Sequence, residues 1–501
     1  MNILENFKED ITNGYQCKGN HIIIGGSIFE KEAYAIPVKI PLKTLNRHGL
    51  IAGATGTGKT KTIQLLSEQL SQNGIPVLMM DIKGDFSGIA KEGELKDFIK
   101  ERHEKIDIPF EPKAFPVELL TLSNQEGVRL RATVSEFGPV LFSRILDLNE
   151  TQAGVVSVIF KYCDDHKMPL LDLKDIKKAM NFITEEGKDE IAKEYGKIST
   201  ATTGTILRKI IELEQQGADI FFGEKSFEIE DLMRVNEEGH GYINIIRLND
   251  IQDKPKLFST FMMNLLAEIY NNMPEKGDLE QPELVVFIDE AHLIFNEASK
   301  ALLDQIETII KLIRSKGIGV YFITQNPTDI PKGVLAQLGL KIQHALRAFT
   351  ANDRQAIKQT AENYPESEYY KTDEILTSLG IGEALITALN EKGIPTPLVA
   401  CMLRAPESRM DILTDREIKE INSNSKLVSK YAETVDRESA YEILTKKLEA
   451  ISNEADATNQ TSKKNQESSM GETIAKSVLK VVTSATFIRG AFNVLMKVMK
   501  K

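Results

Sequence analysis

An α/β fold with a mostly parallel sheet is predicted by three observations. Short apolar runs alternate with stretches of helical periodicity along the chain. Gly53-Ala54-Thr55-Gly56-Thr57-Gly58-Lys59-Thr60 fills every required position of the phosphate-binding loop G-x-x-x-x-G-K-[ST]. A second run, Leu284-Val285-Val286-Phe287-Ile288, is apolar throughout, as a strand buried on both faces requires, and ends in Asp289-Glu290-Ala291-His292.

The elements follow in order. Ile22 to Ile40 alternates apolar residues (Ile22, Ile24; Tyr34, Ile36, Val38, Ile40) around a break at Gly25-Gly26, so residues 1–45 are expected to form a short β segment packing on the core. His48-Gly49-Leu50-Ile51-Ala52 reads as a buried strand leading into the loop. Lys61 to Ser71 reads as the following helix, with Ile63, Leu65, Leu66 and Leu70 inward. Val77-Leu78-Met79-Met80 is another strand, and the charges of Asp81-Ile82-Lys83-Gly84-Asp85 after it fit either the nucleotide edge of the sheet or a solvated turn. Residues 46–134 are thus the first part of a nucleotide-binding core. In 135–235 the pattern turns helical, with Leu141, Ile145, Leu148, Val155, Val158, Ile159, Tyr162, Ile176, Met180 and Ile183 near helical spacing, which predicts an insertion. The core resumes over 236–410, with strands at Gly241–Ile246, Leu284–Ile288, Ile318–Thr324, Lys341–Leu346 and Ala384–Leu389 and a helix from Lys256 to Asn271. Residues 411–451 are read as C-terminal helices and 452–471 as a disordered linker.

The loop predicts the chemistry. Its glycines let successive N–H groups curl around phosphates, and the helix N-terminus adds partial positive charge. Gly53, Ala54, Thr55, Gly56, Thr57, Gly58, Lys59, Thr60 and Lys61 are therefore the expected ATP-binding residues, with Lys59 reaching the β- and γ-phosphates. Mg²⁺ is expected on Thr60 and on Asp289, the Walker B acid. Glu290 is placed to polarise an attacking water, which predicts hydrolysis rather than binding alone. Gln325, after the strand ending at Thr324, fits a γ-phosphate sensor or a plain turn before Asn326-Pro327.

Composition bounds the setting. At 501 residues, with 42% hydrophobic and 27% charged residues, the chain reads as a globular protein with one large ATPase domain and appendages. No apolar run follows a basic start and none has membrane-spanning length, which predicts a cytoplasmic protein without a transmembrane segment. Cys17, Cys163 and Cys401 stand far apart and suggest reduced thiols. A net charge of −11 argues against a broadly basic nucleic-acid surface but leaves room for a narrow basic channel inside an acidic ring.

The stretches Asn46 to Thr60, Phe287 to Leu293, Ile313 to Pro327 and Gln343 to Thr350 resemble the bacterial HerA-like ATPases of the YjgR type, in the FtsK/HerA superfamily. The resemblance runs from the N-terminus to about Arg409 and implies a RecA-like sheet, a homo-hexamer, and ATP hydrolysis between subunits coupled to movement on double-stranded DNA. Two departures qualify it. Archaeal HerA helicases carry an N-terminal β-barrel that the segment before Arg47 does not supply, which puts a nuclease partner in doubt. Their D-P-H-G-E motif appears here as Asp81-Ile82-Lys83-Gly84-Asp85, so the role of its histidine does not transfer.

A ring ATPase also needs a cation from the neighbouring subunit at the γ-phosphate. Arg347 is the first choice for this arginine finger, with Arg354 and Arg314 as alternatives; Lys311, Arg314 and Lys316 are read otherwise as lining a central pore. Residues 472–501 place Ile474, Val478, Val481, Ile488, Phe492 and Leu495 on one stripe beside Lys476, Lys480, Arg489 and Lys497, the pattern of a basic amphipathic helix. It fits ring packing or partner docking first, and membrane or DNA contact otherwise. The leading function is a hexameric double-stranded DNA translocase or helicase. The alternative is an ATP-gated scaffold that recruits an effector protein and moves nothing, and a small-molecule kinase comes third.

Overall fold

The computed structural model describes residues 3–252, 254–295, 300–348, 350–433 and 437–450. The linker and tail helix expected over 452–501 lie outside the described residues. The chain divides into two units, Met1–Tyr441 and Glu442–Lys501. In the second, residues 442–450 are helical.

The first unit is built on one sheet. Its twelve described strands are β1 (His21–Phe29), β2 (Glu32–Pro41), β3 (Gly49–Ala52), β4 (Val77–Asp81), β5 (Val117–Thr121), β6 (Val128–Arg129), β7 (Ile243–Arg247), β8 (Leu284–Ile288), β9 (Ile318–Thr324), β10 (Leu340–Gln343), β11 (Glu383–Thr387) and β12 (Val399–Leu403). They lie in the order β2-β1-β12-β11-β10-β3-β9-β8-β4-β7-β5-β6. From β10 to β6 all neighbours are parallel, whereas β11, β12, β1 and β2 add antiparallel pairs. This is the predicted α/β fold of RecA-like type, a mostly parallel sheet covered by helices. The central runs are continuous and almost wholly apolar because both faces are buried: every residue of β3, β4, β8 and β9 is buried.

Residues 1–45 hold more than a short β segment packing on the core. Helix Ile3–Gly14 comes first and buries Phe7 and Ile11 completely, Phe7 stacking on Phe29. β1 and β2 then join the edge of the main sheet rather than packing on it. Gly25 and Gly26 do not break β1. They allow β12 and β2 to approach, since a Cβ at Gly25 would meet Met402 O at 2.1 Å and one at Gly26 would meet Tyr34 O at 2.7 Å.

Three strands escape the apolar pattern, β5, β12 and β6, the last only two residues long. In β5 the buried Glu118 interrupts the run, held by Arg234 at 2.6 Å. β12 contains Ala400 and Cys401, residue types that signal strand weakly, yet all but Met402 are buried. Between β6 and β7 the chain forms helices Val134–Ile145, Glu150–Asp165, Leu173–Thr184, Lys188–Glu194, Thr200–Gln215 and Ala218–Phe221. Reciprocal capping boxes start three of them, at Thr133 with Glu136, Asn149 with Gln152 and Asp172 with Asp175, each cap contributing about 1 kcal/mol. Cys17, Cys163 and Cys401 are free thiols.

Candidate active site

Parallel strands bring their carboxyl ends to one edge, and the predicted site residues follow those ends. Register fixes which are neighbours. Ala52 pairs with Thr324, Ile288 with Phe322, and Met80 with Ile288. Gln325 therefore leaves the sheet beside Gly53, and Asp289 beside the turn that begins at Asp81. β9 separates the phosphate-loop strand from the Asp289 strand, so Gln325 emerges between the two motifs.

The loop is held from behind by the ends of β9 and β10. Gly53 N–H donates to Thr324 O at 3.3 Å and Ala54 N–H to Ala345 O at 2.9 Å, while Gly382 N–H donates to Thr57 O at 3.0 Å. Gly53 (φ 151°) and Gly58 (φ 114°) sit where side chains are strained, and a Cβ at Gly53 would lie 2.5 Å from His344 Cβ. His344, buried behind the loop, faces Thr62 Oγ1 through Nε2 at 2.9 Å, and burial, then the charge of Lys59, pushes its pKa down to about 4. Among the described residues the N–H groups of Thr55, Gly56, Gly58, Lys59 and Thr60 have no protein acceptor. These unpaired donors at the start of helix Lys59–Gln72 are placed where they would cradle a phosphate. Lys59 donates to Gly53 O at 2.6 Å and Ala54 O at 3.2 Å, curled over the loop where a phosphate would take it. Burial, and the cation of Lys83, hold its pKa below the usual lysine value.

The acidic side is equally built. Asp289 and Glu290 are both buried, and Glu290 has φ 46°, a left-handed conformation that costs a non-glycine residue about 1–2 kcal/mol. Its Oε1 lies 2.5 Å from Lys83 Nζ, its Oε2 lies 3.3 Å from His292 Nδ1, and that Oε2 has no hydrogen bond. Burial, and then the adjacent Glu290, push the Asp289 carboxyl up to about 7.

The Asp81–Asp85 turn belongs to the site. Asp81 accepts from the N–H groups of Gly84, Asp85 and Phe86 at 2.7, 3.0 and 3.2 Å and shapes the turn. That turn delivers Lys83 to Glu290 and Asp85 Oδ2 to within 3.2 Å of Thr60 Oγ1. Asp85 Oδ1 is buried without a partner. Lys83 and Asp85 are the site residues that sequence reasoning left unassigned; the signal was their position after a buried strand. The residues fit a nucleotide with Mg²⁺. Thr60, Asp289 and Asp85 offer the hard oxygen donors the ion takes, and the loop supplies free N–H groups for phosphate.

Other expected residues stand apart. The Lys61 side chain turns away from the cradle, donating to Met410 O at 2.6 Å and Gln64 Oε1 at 3.1 Å. It lines a mainly apolar pocket of about 310 Å³ beside Gly58, walled by Phe98, Ile381 and Met410. Gln325 is exposed at the mouth of the site. Arg347 lies beyond β10, exposed, with a 3.4 Å contact to Thr377 O, and Arg354 is exposed on helix Ala351–Ala361. Arg314 lies 3.9 Å from Asp278. Lys316 does not fit a pore-lining role, because it is buried and donates to Met273 O at 2.6 Å.

A family model described as "Helicase HerA-like C-terminal" matches residues 27–501. The chain is 23% identical over 367 residues to the DNA double-strand break repair helicase HerA of Sulfolobus acidocaldarius, covering 72% of this chain and 66% of that protein. To the protein of the same description from Sulfurisphaera tokodaii it is 24% identical over 372 residues, covering 70% of this chain and 64% of that one. The match thus spans just under two thirds of the length of these relatives. Among solved structures, the plasmid coupling protein TrwB in complex with ADP and Mg²⁺ superposes with a TM-score of 0.50 at 14% identity, over 79% of this chain and 98% of that one. That likeness is one of fold.

Proposed function

The chain belongs to the helicase HerA-like C-terminal family of P-loop ATPases, and from that premise we propose that it hydrolyses ATP and uses the energy to move double-stranded DNA through a homo-hexameric ring in the cytoplasm. One observation carries the reading: the phosphate loop, the Asp289-Glu290 pair and Gln325 converge at one sheet edge, with a buried carboxylate oxygen of Glu290 that has no hydrogen bond. Residues 46–134 and 236–410 form the ATPase core and 135–235 its helical insertion.

In this reading Lys59 leaves the loop carbonyls for the β- and γ-phosphates, and Thr60 and Asp289 hold Mg²⁺, with Asp85 beside them. The metal ion, when bound, neutralises charge that develops on the transferring phosphoryl group. Glu290, fixed by Lys83, orients water with its free oxygen and takes its proton. Gln325 contacts the γ-phosphate from between the two motifs. The apolar pocket beside Gly58 takes the base. Arg347 supplies the neighbouring subunit's cation.

The test is ATP turnover by the purified protein with and without duplex DNA, together with strand displacement and particle mass. DNA-stimulated turnover with directional displacement by hexamers is the expected result. A second reading, the ATP-gated scaffold, draws support from the net charge of −11. DNA-indifferent turnover with nucleotide-dependent capture of an effector would replace the first reading with it.

A further inference from the structure

A second cavity, polar and of about 570 Å³, opens between the loop that joins β5 to β6 and the two helices Asp415–Asn424 and Lys426–Ala432. It lies at the sheet edge, six strands from the phosphate loop in the order given above. At about 4.8 Å per strand the separation is on the order of 30 Å, too far for one nucleotide to span both. The volume is that of a small-ligand site.

Its lining is unusual for so acidic a chain. Arg129, Arg131 and Lys419 face the cavity, against one carboxylate, the exposed Glu126. Among the described residues none of the three cations has a carboxylate within 4.0 Å. Arg129 donates to the neutral amide of Asn124 at 3.0 Å and Arg131 to the carbonyl of Tyr431 at 3.3 Å. Arg131 is only 5% exposed, and burial, then the like charge of Arg129, holds its pKa below the usual arginine value. Asn422 supplies an independent sign. It is 9% exposed, it lines the cavity, and both polar atoms of its side chain are buried without a hydrogen-bond partner. A buried amide left unpaired is costly unless a ligand or water completes it. Two guanidinium groups without carboxylate partners match the forked geometry that recognises phosphate.

We propose that this cavity is a second anion site that binds a phosphate group through Arg129, Arg131 and Lys419, with the Asn422 amide as a further donor. The phosphate comes either from a free phosphate compound or from a DNA backbone.

The full chain, saturated with ADP and Mg²⁺ to fill the phosphate loop, is titrated calorimetrically with pyrophosphate and, separately, with a short blunt duplex. The comparison is Arg129→Gln combined with Lys419→Gln, both at accessible side chains, with ADP affinity and melting temperature as controls. Wild type is expected to bind one of the two probes, and the double variant to bind it about tenfold or more weakly. Weakening for the duplex assigns the phosphate to DNA backbone; weakening for pyrophosphate with unchanged duplex affinity assigns it to a free phosphate compound. If each probe that binds wild type binds the double variant alike, or neither binds wild type, the cavity is not a phosphate site.

Discussion

Lys83 Nζ and Glu290 Oε1 lie 2.5 Å apart, so the turn after β4 grips the carboxylate that follows β8. Burial works against the Lys83 charge, yet Glu290, Asp289 and Asp85 hold its pKa above the usual value. With Oε1 gripped, Oε2, which lies 3.3 Å from His292 Nδ1 and has no hydrogen bond, is the oxygen that the proposed mechanism assigns to water. In that mechanism Lys83 is a positioning residue. Lys83→Met is expected to lower kcat by about tenfold to a hundredfold with little change in ATP KM, and Lys83→Arg to recover much of it, because small misplacements of a reacting group cost rate rather than binding. Steady-state kinetics of the two variants checks this, and a wild-type kcat in Lys83→Met would reduce the pair to a structural contact.

Removing the groups themselves should separate binding from chemistry. Lys59→Ala is expected to abolish productive nucleotide binding, since its ammonium meets the phosphate charge. Glu290→Gln is expected to keep binding and lose turnover by about 10² to 10⁴, the range for a positioned general base. Fluorescent-nucleotide titration alongside phosphate release distinguishes the two, and turnover at the wild-type rate in Glu290→Gln would remove the residue from its role.

The phosphate loop and Asp289-Glu290 were legible because a fixed spacing and a strand end specify them locally. Lys83 and Asp85 were not, because their partners Glu290 and Thr60 are distant in sequence and only the β4–β8 pairing and the turn on Asp81 bring them close. The parallel core was readable from apolar runs, whereas the Gly25-Gly26 pair reads as an interruption until β12 is seen against it. Lys316 illustrates the reverse failure: a lysine in a charged sequence context is buried on a carbonyl, which no spacing rule reveals.

If Asp289 holds the metal as proposed, Mg²⁺ use is expected to depend on pH. Burial, then Glu290, raises its carboxyl to about 7, so below that pH the metal-free site holds a proton that the ion must displace. The Mg²⁺ concentration for half-maximal binding is expected to rise about tenfold from pH 8 to pH 6. Lys83 opposes the shift, so Lys83→Met should need still more Mg²⁺ at pH 7. Magnesium titrations across this window check both statements, and a flat dependence would argue against Asp289 as a ligand.

His48, just before β3, is a titration built into the fold. Its Nε2 faces Ile310 O at 2.8 Å and its Nδ1 accepts from Val320 N–H at 3.1 Å, which fixes a neutral tautomer. Burial pushes its pKa down to about 4. A folded value below the unfolded one means that the stability it contributes is full above about pH 6.5 and is lost as pH falls toward about 4. Raised carboxyls such as Glu68, near 7 mainly through burial, work in the opposite direction, so the comparison must be differential. Denaturant unfolding of wild type and His48→Asn should differ in slope by up to about 1.4 kcal/mol per pH unit within that window. Equal slopes would mean that His48 protonates without opening the fold.

Arg347 poses a geometric choice that subunit mixing resolves. It is exposed, yet it lies two residues beyond Ala345, whose carbonyl accepts from Ala54 of the same loop, so its own subunit's nucleotide is a rival target to the neighbour's. Arg347→Ala is expected to assemble normally, bind ATP with near-normal affinity and lose about 10³-fold in turnover. Mixed with Glu290→Gln subunits, it should regain activity. A trans finger creates some interfaces in which an intact Glu290 on one subunit meets an intact Arg347 on the next. A finger acting within its own subunit creates none, because every subunit then lacks one of the two. Phosphate release measured across mixing ratios, with assembly verified by mass, reads the difference, and the absence of rescue in mixed rings would shift the trans role to Arg354 or Arg314.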